Sequence, residues 1–171
     1  MSKNIWKQLR EISDPVIEKL TGPGILLNSI SKSGSKLNTM TIGWGSLGCL
    51  WNKPVFIVFV RPQRFTCELL EEHAEFTVNI SKSTKYNDGI MYAGTISGRA
   101  EDKIKELGVS PVKSEKISVP HFKEFEISIE CKIIYKDALK EELVPADVKK
   151  IFYPKKDFHR FYIGEILAVH S

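Results

Sequence analysis

Apolar residues recur at Ile5, Trp6, Leu9, Ile12, Val16 and Leu20. Those spacings gather on one face at helical period, so residues 4–20 are expected to be helical. Pro15 marks a break or a fresh helix start, because proline lacks the amide a helix interior needs. Thr21-Gly-Pro-Gly24 reads as a turn, and Ile25–Ile30 as the strand that opens after it. The polar run Ser31–Lys36 suits a hairpin loop, and residues 37–51 read as extended. Pro54–Val60 is a continuous apolar run of high β propensity, expected as a strand buried on both faces. Thr66–His73 reads as a short helix and Glu75–Ile80 as an alternating strand. Helices are expected over 84–93 and 101–107, and a helical turn over 146–151. Phe125–Ile134 alternates as a strand with one wet face, and Arg160–His170 closes the chain as another strand.

About six strands separated by short helices, on connections too short for repeated βαβ crossovers, predict a mostly antiparallel barrel with helical decoration. No repeat, low-complexity tract or linker divides the 171 residues. A single domain over 1–171 is expected, with 1–20 as an N-terminal helical extension.

Composition narrows the class without naming an activity. Hydrophobic residues are 42% and charged residues 27%, which excludes a disordered chain or a fibre. No apolar run approaches the ~20 residues of a membrane-spanning helix. The net charge of +4 would welcome an anionic ligand. Basic residues alternate with acidic ones, and no basic–aromatic face is evident, so nucleic acid is not an expected partner. The N-terminal positive charge is followed by no apolar stretch of about 7–15 residues, so a secretory leader is not expected and a cytoplasmic location is. Cys49, Cys67 and Cys131 are odd in number and form no CxxC, which reads as three reduced thiols. His73, His121, His159 and His170 form no HExxH-like pair, so spacing makes no case for a metal.

Gly43-Trp-Gly45-Ser-Leu-Gly48 matches GxGxxG by letter. A dinucleotide fingerprint needs a helix to begin there, so that its free amides face a pyrophosphate. Pro54 would stop such a helix after little more than one turn, so the glycines instead mark a bent strand. A second polar stretch carries more chemistry. Arg61, Arg64 and Thr66 stand where an apolar strand passes into a helix. Arginine offers forked donors to phosphate oxygens, and a threonine at a helix start offers a hydroxyl beside free amides. The plainer alternative is two solvated arginines and an N-cap threonine. Ser97-Gly-Arg-Ala-Glu-Asp102-Lys103 is a third polar cluster, equally readable as a capped helix with surface charges.

Taken in order, Asn38-Thr-Met-Thr-Ile-Gly-Trp-Gly45, Trp51-Asn-Lys-Pro54, Val60-Arg-Pro-x-Arg-x-Thr66, Glu75-Phe-Thr-Val-Asn79, Ser97-Gly-Arg99 with Asp102-Lys103, and Phe158-His-Arg-Phe-Tyr-Ile-Gly-Glu165 resemble the flavin reductase-like proteins of the FMN-binding split-barrel group. The likeness covers roughly residues 20–169. It implies a mainly β fold with short helices, an antiparallel split β-barrel of Greek-key type. It also implies an FMN cofactor held between the subunits of a homodimer, with NAD(P)H as electron donor. Carried over by position, Asn38, Met40, Thr41 and Ser46 would meet the flavin ring and ribityl chain, with Trp44 beside them. Arg61, Arg64, Thr66 and Lys103 would hold the phosphate, with Ser97 and Asn79 in supporting roles. Similar sequences often have Asp where this chain has Ala100, and Met91-Tyr92-Ala93 stands where some carry Cys or another small residue. The local helix is expected to survive, since Asp102 and Lys103 remain.

The implied activity is that of an NAD(P)H-dependent flavin reductase passing electrons to a small-molecule or protein acceptor. The alternative is a flavoredoxin-like electron carrier. No proton-transfer residue is expected to be indispensable, because the cofactor carries the chemistry. His159 reads either as a residue at the mouth of the flavin pocket or as a strand-edge histidine satisfied by a carboxylate. Cys49 reads either as a redox thiol near the flavin strand or as a buried small hydrophobe, and Trp51 as a packing residue of core or interface.

Overall fold

The computed structural model describes residues 3–171. Helix α1 (Lys3–Thr21) leads into a hairpin of β1 (Ile25–Ile30) and β2 (Leu37–Ile42), then a second hairpin of β3 (Gly45–Leu50) and β4 (Lys53–Val60). Helix α2 (Phe65–Glu72), strand β5 (Glu75–Ile80) and helices α3 (Asn87–Thr95) and α4 (Lys103–Leu107) follow. A two-residue pair, β6 (Pro111–Val112) and β7 (His121–Phe122), precedes β8 (Ile127–Ala138). A 3-10 turn (Glu141–Leu143), helix α5 (Ala146–Phe152) and strand β9 (Arg160–His170) complete the chain. Among the described residues, no helix is long and apolar enough to cross a membrane.

The seven long strands form one antiparallel sheet in the order β2-β1-β5-β8-β9-β4-β3. Its two edge strands, β2 and β3, are separated in the chain by Gly43 and Trp44 alone. A sheet whose opposite edges are joined by two residues must curl until they nearly meet. The result is a barrel with a seam between β2 and β3.

Two apolar cores hold this shape. The inner one gathers Ile25, Leu27, Phe56, Val58, Phe76, Val78, Ile129 and Tyr162, with Leu9, Ile12 and Val16 of α1 packed against it. The second lies on the other face of β1, where Leu26 meets Ile90 and Ala93 of α3, Leu107, Phe122 and Phe125. Strand β1 serves both, which explains why all six of its residues are buried. Each such side chain withdrawn from water contributes about 1.5–3 kcal/mol before conformational entropy is counted.

Several expectations need correction. Helix α1 runs through Pro15 without a break. The carbonyl left without its partner belongs to Glu11, which is exposed, so water can satisfy it. Strand β4 is not buried on both faces: Phe56, Val58 and Val60 point inward, whereas Ile57 and Phe59 are only half-buried beside the edge strand. Strand β8 runs on to Ala138, four residues beyond the expected end, because irregularities at Glu130/Cys131 and Ile133/Tyr135 shift its alternation without ending its pairing to β9. Trp51 sits with Asn52 at positive φ in the β3–β4 hairpin turn and is 63% exposed, so of the two expected roles the chain's own core is excluded; its ring meets Tyr135 edge-on. Cys49 is exposed on β3 rather than buried; Cys67 and Cys131 are buried, and all three are free thiols. The glycines at 43–48 introduce strand β3, not a helix, as expected.

Candidate functional site

Beside the seam, six expected residues converge. Asn38 and Met40 of β2, Arg64 and Thr66 at the start of α2, and Ser97 and Lys103 around α4 line one cavity of about 340 Å³. Strand alternation places Asn38 and Met40 on the same face of β2, and the turn from β4 brings Arg64 and Thr66 opposite them. Asn38 is buried and donates through Nδ2 to the Thr66 hydroxyl at 2.8 Å. Its Oδ1 is buried without a partner among the described residues. Gly98 permits this packing: a Cβ there would stand 1.8 Å from that same oxygen.

Thr66 is not an N-cap. Arg64 holds the cap position without a side-chain bond, and Thr66 is buried one step inside the helix. The segment leading to α4 is capped as expected, with Asp102 accepting from the Ile104 and Lys105 amides at 3.2 and 3.3 Å. Lys103, however, is no surface charge. Its side chain is buried and donates to the carbonyls of Ala93 and Ile96 at 3.2 and 3.3 Å. Burial, with the Arg64 guanidinium nearby, lowers its pKa to about 8. No carboxylate pairs with Arg64 or Lys103 among the described residues. Two cations therefore face one polar cavity without an anion. Arg99, by contrast, pairs with Glu68 and lies over the Phe65 ring.

An adjoining cavity of about 190 Å³ shares Met40 and Arg64 and adds Thr41, Trp44, Phe59, Arg61 and His159. Here the charge is already compensated. Arg61 pairs with Asp157 and donates to the Phe152 carbonyl at 2.9 Å. Burial raises the Asp157 pKa, but bonds from Gln63 and Arg61 outweigh it and hold the carboxyl below its usual range. Trp44 packs at 4.6 Å from the His159 ring and edge-on to Phe152. His159 is buried, and its Nδ1 shares a hydrogen bond of 2.9 Å with the Tyr153 hydroxyl rather than with a carboxylate. Burial and the Arg61 charge push its pKa down to about 4, so the imidazole is neutral at pH 7. Thr41 spends its hydroxyl on the Ile90 carbonyl, docking α3 against β2. Gly24, at φ +95°, lets that threonine approach, since a Cβ there would lie 2.4 Å from Thr41 Cγ2.

Two expected contacts lie elsewhere. Ser46 is exposed on the edge strand β3 and lines neither cavity. Asn79 is fully buried and occupied internally: its Oδ1 accepts from the Phe122 amide and the Ser128 hydroxyl at 2.9 and 3.2 Å, and its Nδ2 donates to Thr77. Its task is to fasten β7 to the barrel. Gln63 and Tyr153, which carry no signal of their own in the sequence, join Asp157 in setting the charge around Arg61 and His159. Asp157 stands two residues before His159 in the chain, but nothing local shows that it folds back onto Arg61.

The model of the flavin reductase like domain matches residues 23–171. An uncharacterized protein of Archaeoglobus fulgidus is 29% identical over 134 residues, covering 78% of this chain and 65% of that one. The chain thus spans less than two thirds of that relative's length. The flavoredoxin of Desulfovibrio vulgaris superposes with a TM-score of 0.68 at 28% identity, covering 87% of this chain and 69% of that one. A flavoredoxin from Methanosarcina acetivorans gives 0.63 at 27% identity, over 86% and 68% of the two chains. A putative flavin reductase with a split barrel domain from Shewanella frigidimarina shares the fold over 99% of this chain and 78% of its own, with a TM-score of 0.68 at 18% identity. The curled, seamed sheet is the split barrel expected from the sequence, and the chain belongs to the flavin reductase like domain family.

Proposed function

We propose that the protein is a flavoprotein oxidoreductase that binds FMN at the seam, with the phosphate in the Arg64–Lys103 cavity. The observation that carries this reading is the pair of cations, Arg64 and Lys103, that line one cavity with no carboxylate partner among the described residues. A phosphate bears about −1.5 to −2 charge at pH 7 and three strong acceptor oxygens. Arg64 and Lys103 supply charge-assisted donors to it, and the Ser97 hydroxyl a neutral one. The residues present fit the group. When bound, the flavin supplies hydride acceptance and electron transfer. The chain's own part is to bind and orient it. Met40 and Trp44 offer apolar walls for a flat ring system. His159, neutral and fixed by Tyr153, presents a polar edge without adding a charge.

The reaction assigned is oxidation of NAD(P)H with transfer of electrons to a second acceptor. A homodimer is part of the proposal: Trp44, Phe152, Ile151 and Leu143 are large apolar side chains left exposed near the cleft and around α5, and a second copy would cover them. Three free thiols accord with a reducing, cytoplasmic setting. The likeness to two flavoredoxins favours a second reading, an FMN electron carrier served by a protein partner with negligible NADH turnover.

The absorbance spectrum of FMN-loaded protein under anaerobic NADH or NADPH separates the two. Rapid bleaching of the flavin bands supports the oxidoreductase. Bands that persist with both nucleotides and bleach only with dithionite support the carrier. A protein that takes up no FMN overturns both.

A further inference from the structure

On strands β7, β8 and β9, three side chains outside the cleft converge: His121, Glu130 and His170. One potential ligand atom from each lies within 4.8 Å of the others. None of the three lines either seam cavity. We propose that they form a binding site for a zinc-class divalent cation, which clips the β7 segment to the end of the barrel.

Glu130 is fully buried, an expensive place for a carboxylate. Its two oxygens are aimed by backbone donors, the Glu115 amide to Oε1 at 2.8 Å and the Lys116 amide to Oε2 at 2.7 Å. Oε1 also faces His170 Nε2 at 2.7 Å. Two amides holding a ligand carboxylate and a carboxylate beside a ligand histidine are the usual outer supports of a metal site. Glu115 supplies the second, with Oε1 at 3.9 Å from His170 Nδ1. His121 brings a ring nitrogen, Nδ1, that is buried with no hydrogen-bond partner among the described residues. Its backbone is pinned on both sides: Asn28 and Thr77 donate to the Pro120 carbonyl at 3.0 and 2.8 Å, and Asn79 accepts from the Phe122 amide. Asn79, a candidate for the phosphate end of the cofactor from the sequence, thus holds this histidine in place.

Two imidazoles and one carboxylate are a donor set that suits zinc, with water in the fourth position. Ligands of one zinc stand about 3.3 Å apart, as metal–ligand distances of about 2.0–2.1 Å require. The His121 and His170 rings lie nearly parallel, 14° apart with centroids at 4.8 Å. One ring must therefore turn about its Cβ–Cγ bond for both nitrogens to face one ion. The unpaired His121 Nδ1 loses no bond in that turn. Metal binding also displaces any proton held between His170 and Glu130.

The test uses the full chain, free of any histidine tag and stripped of metal. Zinc is titrated in, and bound metal per chain is counted after equilibrium dialysis. The expected result is one zinc per chain, held at least about tenfold less tightly by His121→Ala and by His170→Ala, as loss of a ligand requires. His73→Ala, whose ring bonds Glu75 and Ser118 outside the cluster, should bind as the wild type does. Cobalt added to the wild-type protein should give the visible bands of a four-coordinate site, a readout that needs no variant and no flavin. Failure to retain zinc, equal retention by the wild type and His121→Ala, or a cobalt spectrum of the hydrated ion would each overturn the proposal.

Discussion

Arg61 and Arg64 lie three residues apart on one turn, closed by the bond from the Arg64 amide to the Arg61 carbonyl, yet they stand in opposite electrostatic situations. Arg61 is neutralised by Asp157, bonded to the Phe152 carbonyl and placed over the Tyr153 ring. Arg64 has no carboxylate partner among the described residues and faces a buried lysine whose pKa its charge helps to lower. The sequence presents the two as equivalent phosphate donors. Their surroundings separate them: Arg61 ties the segment before β9 to the β4–α2 turn, and Arg64 lines the cavity with no carboxylate partner among the described residues. A cation's partner, more than its type, decides its role.

Removing each arginine is the sharpest way to break this comparison. Arg64→Ala should weaken FMN binding about tenfold to a hundredfold, as loss of a charge-assisted bond of about 1.5–3 kcal/mol implies. Arg61→Ala should change it less than about threefold, because a neutralised cation contributes little further charge. Quenching of flavin fluorescence measures both. Equal losses would erase the distinction.

Gly98→Ala should come next in effect. A Cβ placed 1.8 Å from Asn38 Oδ1 forces that side chain out of its bond to Thr66. Overpacking of this kind costs about 1–3 kcal/mol, visible in urea unfolding together with weaker FMN binding.

The pH dependence of FMN affinity reports on Lys103. Its pKa of about 8 in the free protein is raised when a phosphate binds, so binding takes up a proton above that pH. Affinity should be fully present below about pH 8 and fall as the pH rises further. On the acid side it should weaken as the phosphate loses charge near its second pKa of about 6. Lys103→Arg should abolish the alkaline limb alone, because guanidinium stays charged.

The smallest effect belongs to the compensated arginine's partner. Asp157→Asn should cost about 1 kcal/mol or less in urea unfolding, in keeping with a partly exposed ion pair. FMN affinity should hardly change.

Much of the barrel is legible in the chain. Ile25–Ile30, Glu75–Ile80 and Arg160–His170 read as strands from the sequence and form strands with those same limits. Where local pattern misled, a tertiary partner was the reason. The Pro15 interruption falls opposite exposed Glu11, where water can reach the freed carbonyl, and β8 outruns its alternation because β9 accommodates two irregularities. The cleft was legible to the extent that charge and order along the chain reveal it: Asn38, Met40, Arg64, Thr66, Ser97 and Lys103 meet in one cavity. Asn79's bonds to Phe122 and Ser128 are made across the fold, so nothing along the chain reveals them. The His121–Glu130–His170 group was invisible for the same reason, since strand pairing and a two-residue strand bring it together, not spacing.

The most direct test of the central claim compares FMN with riboflavin, which lacks only the phosphate. If Arg64 and Lys103 receive that phosphate, the wild-type protein binds FMN about a hundredfold or more tighter than riboflavin, two charge-assisted bonds being lost together. In Arg64→Ala most of that preference disappears, while riboflavin affinity stays nearly unchanged. Equal affinity for the two flavins in the wild-type protein would contradict the account, because the two uncompensated cations would then have no share in holding the cofactor.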